Sequence, residues 1–170
     1  MQKFKKVSKY YLYQNAFTMI EMIFVIVVLG ILAAVAVPKL AATRTDAEIT
    51  KGIADVASIR SAIVTERQTR LIKGISTYIP NGTGTYTVNG DEYNKMDEGG
   101  LFGGVLTYPL ANVSAKNGKW SATAGSGTYK YRINNVDTTF TYYDSNATTI
   151  SNRGMFICVA GAGDCDILTQ

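Results

Sequence analysis

The sequence predicts an α+β fold: one long N-terminal helix, its second half packed on a small antiparallel sheet. Three observations carry this. Met22 to Val37 runs without a polar side chain. Helical spacing of apolar residues continues past Pro38. Beyond Gly74 the composition changes, with 14 of the 16 glycines and 8 of the 11 tyrosines in residues 74–170, among short runs of alternating polarity. Four zones follow: a basic leader (1–16), a transmembrane half of the helix (17–37), an amphipathic half (38–73), and an antiparallel-sheet domain ending in a loop between two cysteines (74–170).

The leader holds Lys3, Lys5, Lys6 and Lys9 and no acid. Across all 170 residues the net charge is +4. The remaining 13 basic and 13 acidic residues balance, so the positive charge belongs to the leader. Nothing in the rest argues for bulk nucleic-acid affinity.

The apolar zone from Phe17 to Val37 is long enough, as a helix, to cross the ~30 Å of a bilayer core. Lysines precede it and none follows until Lys39. The positive-inside rule then puts the N-terminus in the cytoplasm and the bulk of the chain across the membrane. Ordinary secretion is an alternative, with cleavage after Ala34-Val35-Ala36. The long leader and Glu21, inside the apolar segment, argue against it.

After Pro38, Ile49, Ile53, Val56 and Ile63 keep helical spacing. Proline has no N–H to donate, so the expectation at Pro38 is a kink and not a stop. A helix from about Thr18 to Lys73 would run roughly 80 Å at 1.5 Å per residue. A chain of this size cannot bury such a rod, so its first half must lie in a membrane or among copies of itself. Arg60 and Arg67 share the apolar stripe. They read as arginines snorkelling at its edge, with salt bridges to a neighbouring copy as the other reading.

Beyond Gly74, Thr85 to Val88 alternates and ends at Asn89-Gly90, a hairpin turn signal. Tyr129 to Ile133 and Thr138 to Tyr143 read as a second hairpin around Asn134 to Asp137. Met155 to Val159 is a further strand, and Asn117-Gly118 turns the chain before Trp120. A sheet of three or four strands has one face to bury, and the amphipathic half of the helix is its cover.

Several chemistries are excluded. The chain has no histidine, which removes His-dependent triads, His-ligated zinc and imidazole switches. It has no Gly-x-Ser-x-Gly and no phosphate-binding loop. Two cysteines are too few for a cysteine metal site. Cys158 and Cys165, this close together, read as a disulfide in an exported chain and as free thiols in a cytosolic one.

The stretch Ala16-Phe17-Thr18-Met19-Ile20-Glu21, with Gly30 inside the apolar helix and Pro38 at its end, resembles the N-terminus of type IV prepilins and of type II secretion pseudopilins. The resemblance covers about 40 residues directly. It implies a pilin-like fold, cleavage by a prepilin peptidase between Ala16 and Phe17, and N-methylation of Phe17. The family usually has glycine before the cut, where this chain has Ala16. It also implies that Thr18 and Glu21 serve filament assembly, and that the protein is a structural subunit, not an enzyme. The implied partners are copies of itself, other pilins, the peptidase and an inner-membrane assembly platform with its motor. The implied location is the inner membrane with the C-terminal domain in the periplasm, and then a pilus or pseudopilus. Glu21 argues against the tip pseudopilin, which characteristically lacks that acid.

The residues support these roles independently. An acid inside a spanning helix costs about 2.5–3.5 kcal/mol on insertion scales and normally has a partner. Cleavage before Phe17 creates an amine one helical turn from Glu21. In a filament the amine of one subunit can face Glu21 of the next, which fixes register more than it adds stability. The plainer reading of Glu21 is an interfacial residue near the headgroups. Gly30 and the alanines at 33, 34 and 36 permit close helix packing, and Gly30 with Pro38 can loosen the helix.

Further readings concern the sheet domain. Asp164 and Asp166, with loop carbonyls, are candidate calcium ligands, as the C-terminal loops of major pseudopilins are; solvated loop acids are the simpler reading. Asn146, followed by Thr148 and preceded by Asp144, is a candidate glycosylation site. A DNA-uptake or adhesion minor pilin, acting as a binding module, is the alternative function. For nucleic acid it would need a basic patch from Lys116, Lys119, Lys130 and Arg132. A membrane-anchored periplasmic enzyme is a more distant alternative. The tyrosine-, threonine- and glycine-rich domain leans towards a pilin, and calcium would lean towards a pseudopilin.

Overall fold

A computed structural model describes residues 17–123, 125–161 and 163–170. The leader, with Ala16, lies outside the described residues. The chain forms two compact units, residues 1–41 and 42–170.

Helix α1 spans Met19–Ile72 and continues through Gly30 and Pro38. Its start is set by Thr18, whose hydroxyl accepts the Glu21 backbone N–H at 3.3 Å. That is the N-cap role of a threonine. Its end is set by Gly74, which takes φ +80°. The Gly74 N–H then donates to Leu71 O at 3.0 Å and the Ile75 N–H to Arg70 O at 2.9 Å, the paired bonds of a Schellman termination.

In the unit 42–170, strands β1 (Thr85–Val88) and β2 (Asp91–Asn94) form a two-stranded hairpin. Strands β3 (Trp120–Ala122), β4 (Thr128–Ile133), β5 (Val136–Tyr142) and β6 (Phe156–Cys158) form an antiparallel sheet in that order. A four-residue helix, α2 (Cys165–Leu168), follows. The β4–β5 turn is tighter than the sequence reading placed it. Asn134 and Asn135 take φ +45° and +65°, as a two-residue type I′ turn demands. Ile133 then pairs with Val136, and Arg132 with Asp137, so Val136 and Asp137 belong to the strand and not to the loop.

Alternation in β4 and β5 sends Tyr129, Tyr131, Ile133, Phe140 and Tyr142 to one buried face. Val56, Ile59 and Ile63 of α1 join that core, with Ile49 and Ile53 packed against it. Burying each such aliphatic side chain is worth about 1.5–3 kcal/mol. Aromatic contacts complete the core: Phe102 stacks on Tyr129 at 4.2 Å between centroids, and Phe140 on Phe156 at 5.1 Å. Polar edges are tied to α1, with Trp120 Nε1 donating to Asp55 at 2.9 Å and the Tyr131 hydroxyl to Glu48 O at 2.7 Å.

The two stripe arginines are half-buried and reach backbone carbonyls of their own chain. Arg60 Nε donates to Phe156 O at 3.2 Å. Arg67 donates to the carbonyls of Thr77 and Ser76, each at 2.7 Å, and lies over the Tyr78 ring. A guanidinium has five donors in a fixed fork. Here that fork takes up carbonyls of the chain as it turns back from α1.

Candidate functional site

Within the first unit, Phe17 to Leu40 is exposed throughout, with Phe17 at 71% and Met19 at 84%. This stretch lies in a helix long and apolar enough to cross a membrane, and its most apolar window has no buried residue. So large an apolar surface on an isolated chain needs a bilayer, partner chains, or both.

Glu21 sits in the first turn of α1. Its backbone N–H is spent on the Thr18 hydroxyl, and among the described residues no ion pair uses the charge of its carboxylate. At Gly30 an added Cβ would meet nothing within 4 Å. Glycine in mid-helix costs about 1 kcal/mol against alanine, and no close contact among the described residues requires it at this position.

In the second unit, Cys158 and Cys165 form a disulfide, with Cα atoms 5.8 Å apart. Asp164 precedes α2 and Asp166 lies within it. Among the described residues no three His, Cys, Asp or Glu side chains converge on a metal position, so these two acids are not joined by a third. Asn146 is exposed on a turn, its N–H bonded to the Asp144 carboxylate at 2.9 Å. Of the four basic residues considered for nucleic acid, Arg132 pairs with Asp137 at 2.6 Å. That hydrogen-bonded guanidinium holds the Asp137 carboxyl below its usual range. A basic patch loses one of its four members to this pair.

Two buried charges escaped the sequence reading. Arg70 is 1% exposed. It pairs with Glu66 at 2.7 Å, donates to Asn94 O at 3.0 Å and to the Tyr86 hydroxyl, and lies over the rings of Tyr86 and Tyr93. It thereby fastens the β1–β2 hairpin to the end of α1. A lone arginine followed by two tyrosines in a later hairpin was the available signal.

Asp97 is 4% exposed. Its Oδ1 accepts the Phe102 N–H at 3.1 Å, and the Tyr129 hydroxyl lies 3.0 Å from both carboxylate oxygens. Burial pushes its carboxyl above the usual range, against the two hydrogen bonds that favour the ion. A raised folded-state pKa makes this group's contribution to stability greatest in acid and lost as pH rises through that pKa. Asp97→Asn keeps an acceptor for Phe102 but removes the titration. In denaturant titrations the stability of the parent relative to Asp97→Asn should therefore rise as pH falls from neutral towards the ordinary carboxylate pKa of about 3.9. A difference independent of pH would show that Asp97 does not titrate in this window.

Residues 12–37 match the family model described as the prokaryotic N-terminal methylation motif. The type II secretion system core protein G of Pectobacterium carotovorum subsp. carotovorum is 40% identical to the chain over 50 residues, 29% of this chain and 32% of that protein. The chain thus spans about a third of the length of this curated relative. No solved structure matches it significantly. Both similarities lie in a limited part of the chain: its N-terminal segment carries the methylation motif, and a 50-residue stretch is similar to a type II secretion system core protein.

Proposed function

We propose that this chain is a pilin or pseudopilin that is cut between Ala16 and Phe17, N-methylated on Phe17, and polymerised through the N-terminal half of α1. The observation that carries the reading is the exposed apolar start of α1. Phe17, Thr18 and Glu21 stand there in the order of the methylation motif, and the Glu21 carboxylate has no ion pair among the described residues. The four leader lysines place the uncut N-terminus in the cytoplasm. The disulfide suits an oxidising compartment for residues 42–170, which is the periplasm in this reading.

In a filament the apolar faces of neighbouring helices cover one another, and the new amine of Phe17 meets Glu21 of the adjacent copy. Gly30 and the alanines let helices approach closely. Pro38, which removes one bond of the helical ladder, and Gly30 mark where α1 can loosen as subunits pack. The prepilin peptidase, an assembly platform and other pilins are the partners in this reading. The DNA-uptake alternative loses Arg132 to its pair with Asp137, and Lys130 also acts on that carboxylate, so it is the weaker reading.

The deciding experiment is the intact mass and N-terminal peptide of native protein extracted from membranes. The expected chain begins at methylated Phe17. A chain retaining Met1 would leave an uncut anchor, and one beginning after Ala36 would mean ordinary secretion; either result overturns the reading.

A further inference from the structure

The C-terminus of the chain is fastened in a way that the N-terminal segment does not explain. Gly52 lies buried in the interior of α1, a position where glycine weakens a helix. A Cβ there would lie 2.5 Å from Tyr131 Cε1 and 2.6 Å from Leu168 Cδ2. Leu168 is 1% exposed and belongs to the same core as Val56 and Tyr131. The missing side chain of Gly52 is therefore the socket for Leu168.

Leu168 comes from α2, which has four residues, too few to hold a helix by themselves. The fixings lie just upstream. The Asp164 N–H donates to Thr138 Oγ1 at 2.9 Å. Gly163 sits so close to β5 that a Cβ would lie 2.6 Å from Thr138 Oγ1 and 2.7 Å from Asp137 O. The disulfide then ties Cys165 to the end of β6. Burying one leucine does not offset the ordering of the segment from Gly163 onward. A covalent tie that restricts the open ensemble changes that balance.

We propose that residues 163–170 form a redox-operated strap: closing the Cys158–Cys165 disulfide seats Leu168 in the Gly52 socket, and opening it releases Leu168. Opening needs a dithiol reductant. Its two electrons and two protons convert the Sγ–Sγ bond to two thiols, and the reductant leaves as its own disulfide. Closing is the reverse exchange with a disulfide donor. In a reducing compartment the strap stays open and the face of α1 around Gly52 and Val56 is uncovered. The device lies within residues 42–170 and holds whether or not the N-terminal segment assembles filaments.

Hydrogen exchange followed by mass spectrometry on the full chain in detergent tests this. Reduction with dithiothreitol should speed exchange of the Leu168 and Thr169 amides at least tenfold. Peptides from β4 and β5 should change far less. Leu168→Ala should speed exchange across residues 49–56 in the oxidised chain and add nothing once the chain is reduced. Gly52→Ala should release Leu168 with the disulfide intact. Unchanged protection of residues 163–170 on reduction overturns the proposal. So does an equal effect of Leu168→Ala in both redox states, or loss of protection in β4 and β5 to the same extent as in α2. Should Gly52→Ala fail to fold, the comparison of oxidised and reduced parent still decides.

Discussion

A chain carrying Glu21→Val should insert and fold like the parent but lose filament assembly by about two orders of magnitude or more. The fold gives no reason for harm. Glu21 is exposed, its N–H bond to Thr18 is a backbone bond that valine retains, and its carboxylate has no ion pair among the described residues. Valine also makes the segment more apolar and so eases insertion. The loss arises between copies. With Glu21 gone, the amine of Phe17 would be buried against a neighbour without a counter-charge. Removing one partner of a buried pair costs about 3–5 kcal/mol, which is roughly a hundredfold to a thousandfold or more in an association constant. Glu21→Gln should fall between valine and the parent, because it can still accept a hydrogen bond from the amine. The measurement is the ratio of sheared, sedimentable filament to membrane-bound subunit, with cleavage checked in the same cells. Normal filament yield from a correctly cut Glu21→Val chain would remove the amine–carboxylate contact from the model of assembly.

The segment behind that prediction is legible in the sequence, and the reason is local. The apolar run, its acid and the residues beside the cut are consecutive, and the period of α1 is set by neighbours three and four apart. The helix expected from about Thr18 to Lys73 is found from Met19 to Ile72. The Asn-Gly turn after Val88 and the alternation in β4 and β5 are local in the same sense. What escaped depends on residues far apart in sequence. Helix α2 exists in the grip of a disulfide. Gly52 reads as punctuation until Tyr131 and Leu168 stand over it. The roles of Asp97 and Arg70 were hidden because a lone charge in sequence is almost always solvated, and their partners lie in other elements.

Arg70→Met should cost the unit 42–170 about 3 kcal/mol and lower its melting temperature by roughly 10 °C. Methionine fills much of the same space, so the loss is one of charge and hydrogen bonds more than of volume. Glu66 loses its partner but is 29% exposed on its side chain and can rehydrate, which limits the cost. The Tyr86 hydroxyl, on a half-buried residue, and the Asn94 carbonyl, on an exposed one, also lose a charged donor, and a hydrogen bond to a charged group contributes about 1.5–3 kcal/mol. The two ring faces of Tyr86 and Tyr93 lose their cation as well, worth about 0.5–1 kcal/mol or more where desolvated. These terms overlap and do not simply add. The control is Arg44→Met. Arg44 pairs with Glu48 at 3.3 Å but its side chain is 75% exposed, and such surface helix pairs contribute about 0.3–0.5 kcal/mol. Thermal and urea unfolding of both variants in detergent, followed by tyrosine and tryptophan fluorescence, separates them. Hydrogen exchange should localise the Arg70→Met damage to residues 85–94, because the hairpin meets the end of α1 through this guanidinium. Equal melting temperatures for the two variants would mean that the hairpin is held by its own turn and strand pairing, with Arg70 a passenger in the interface.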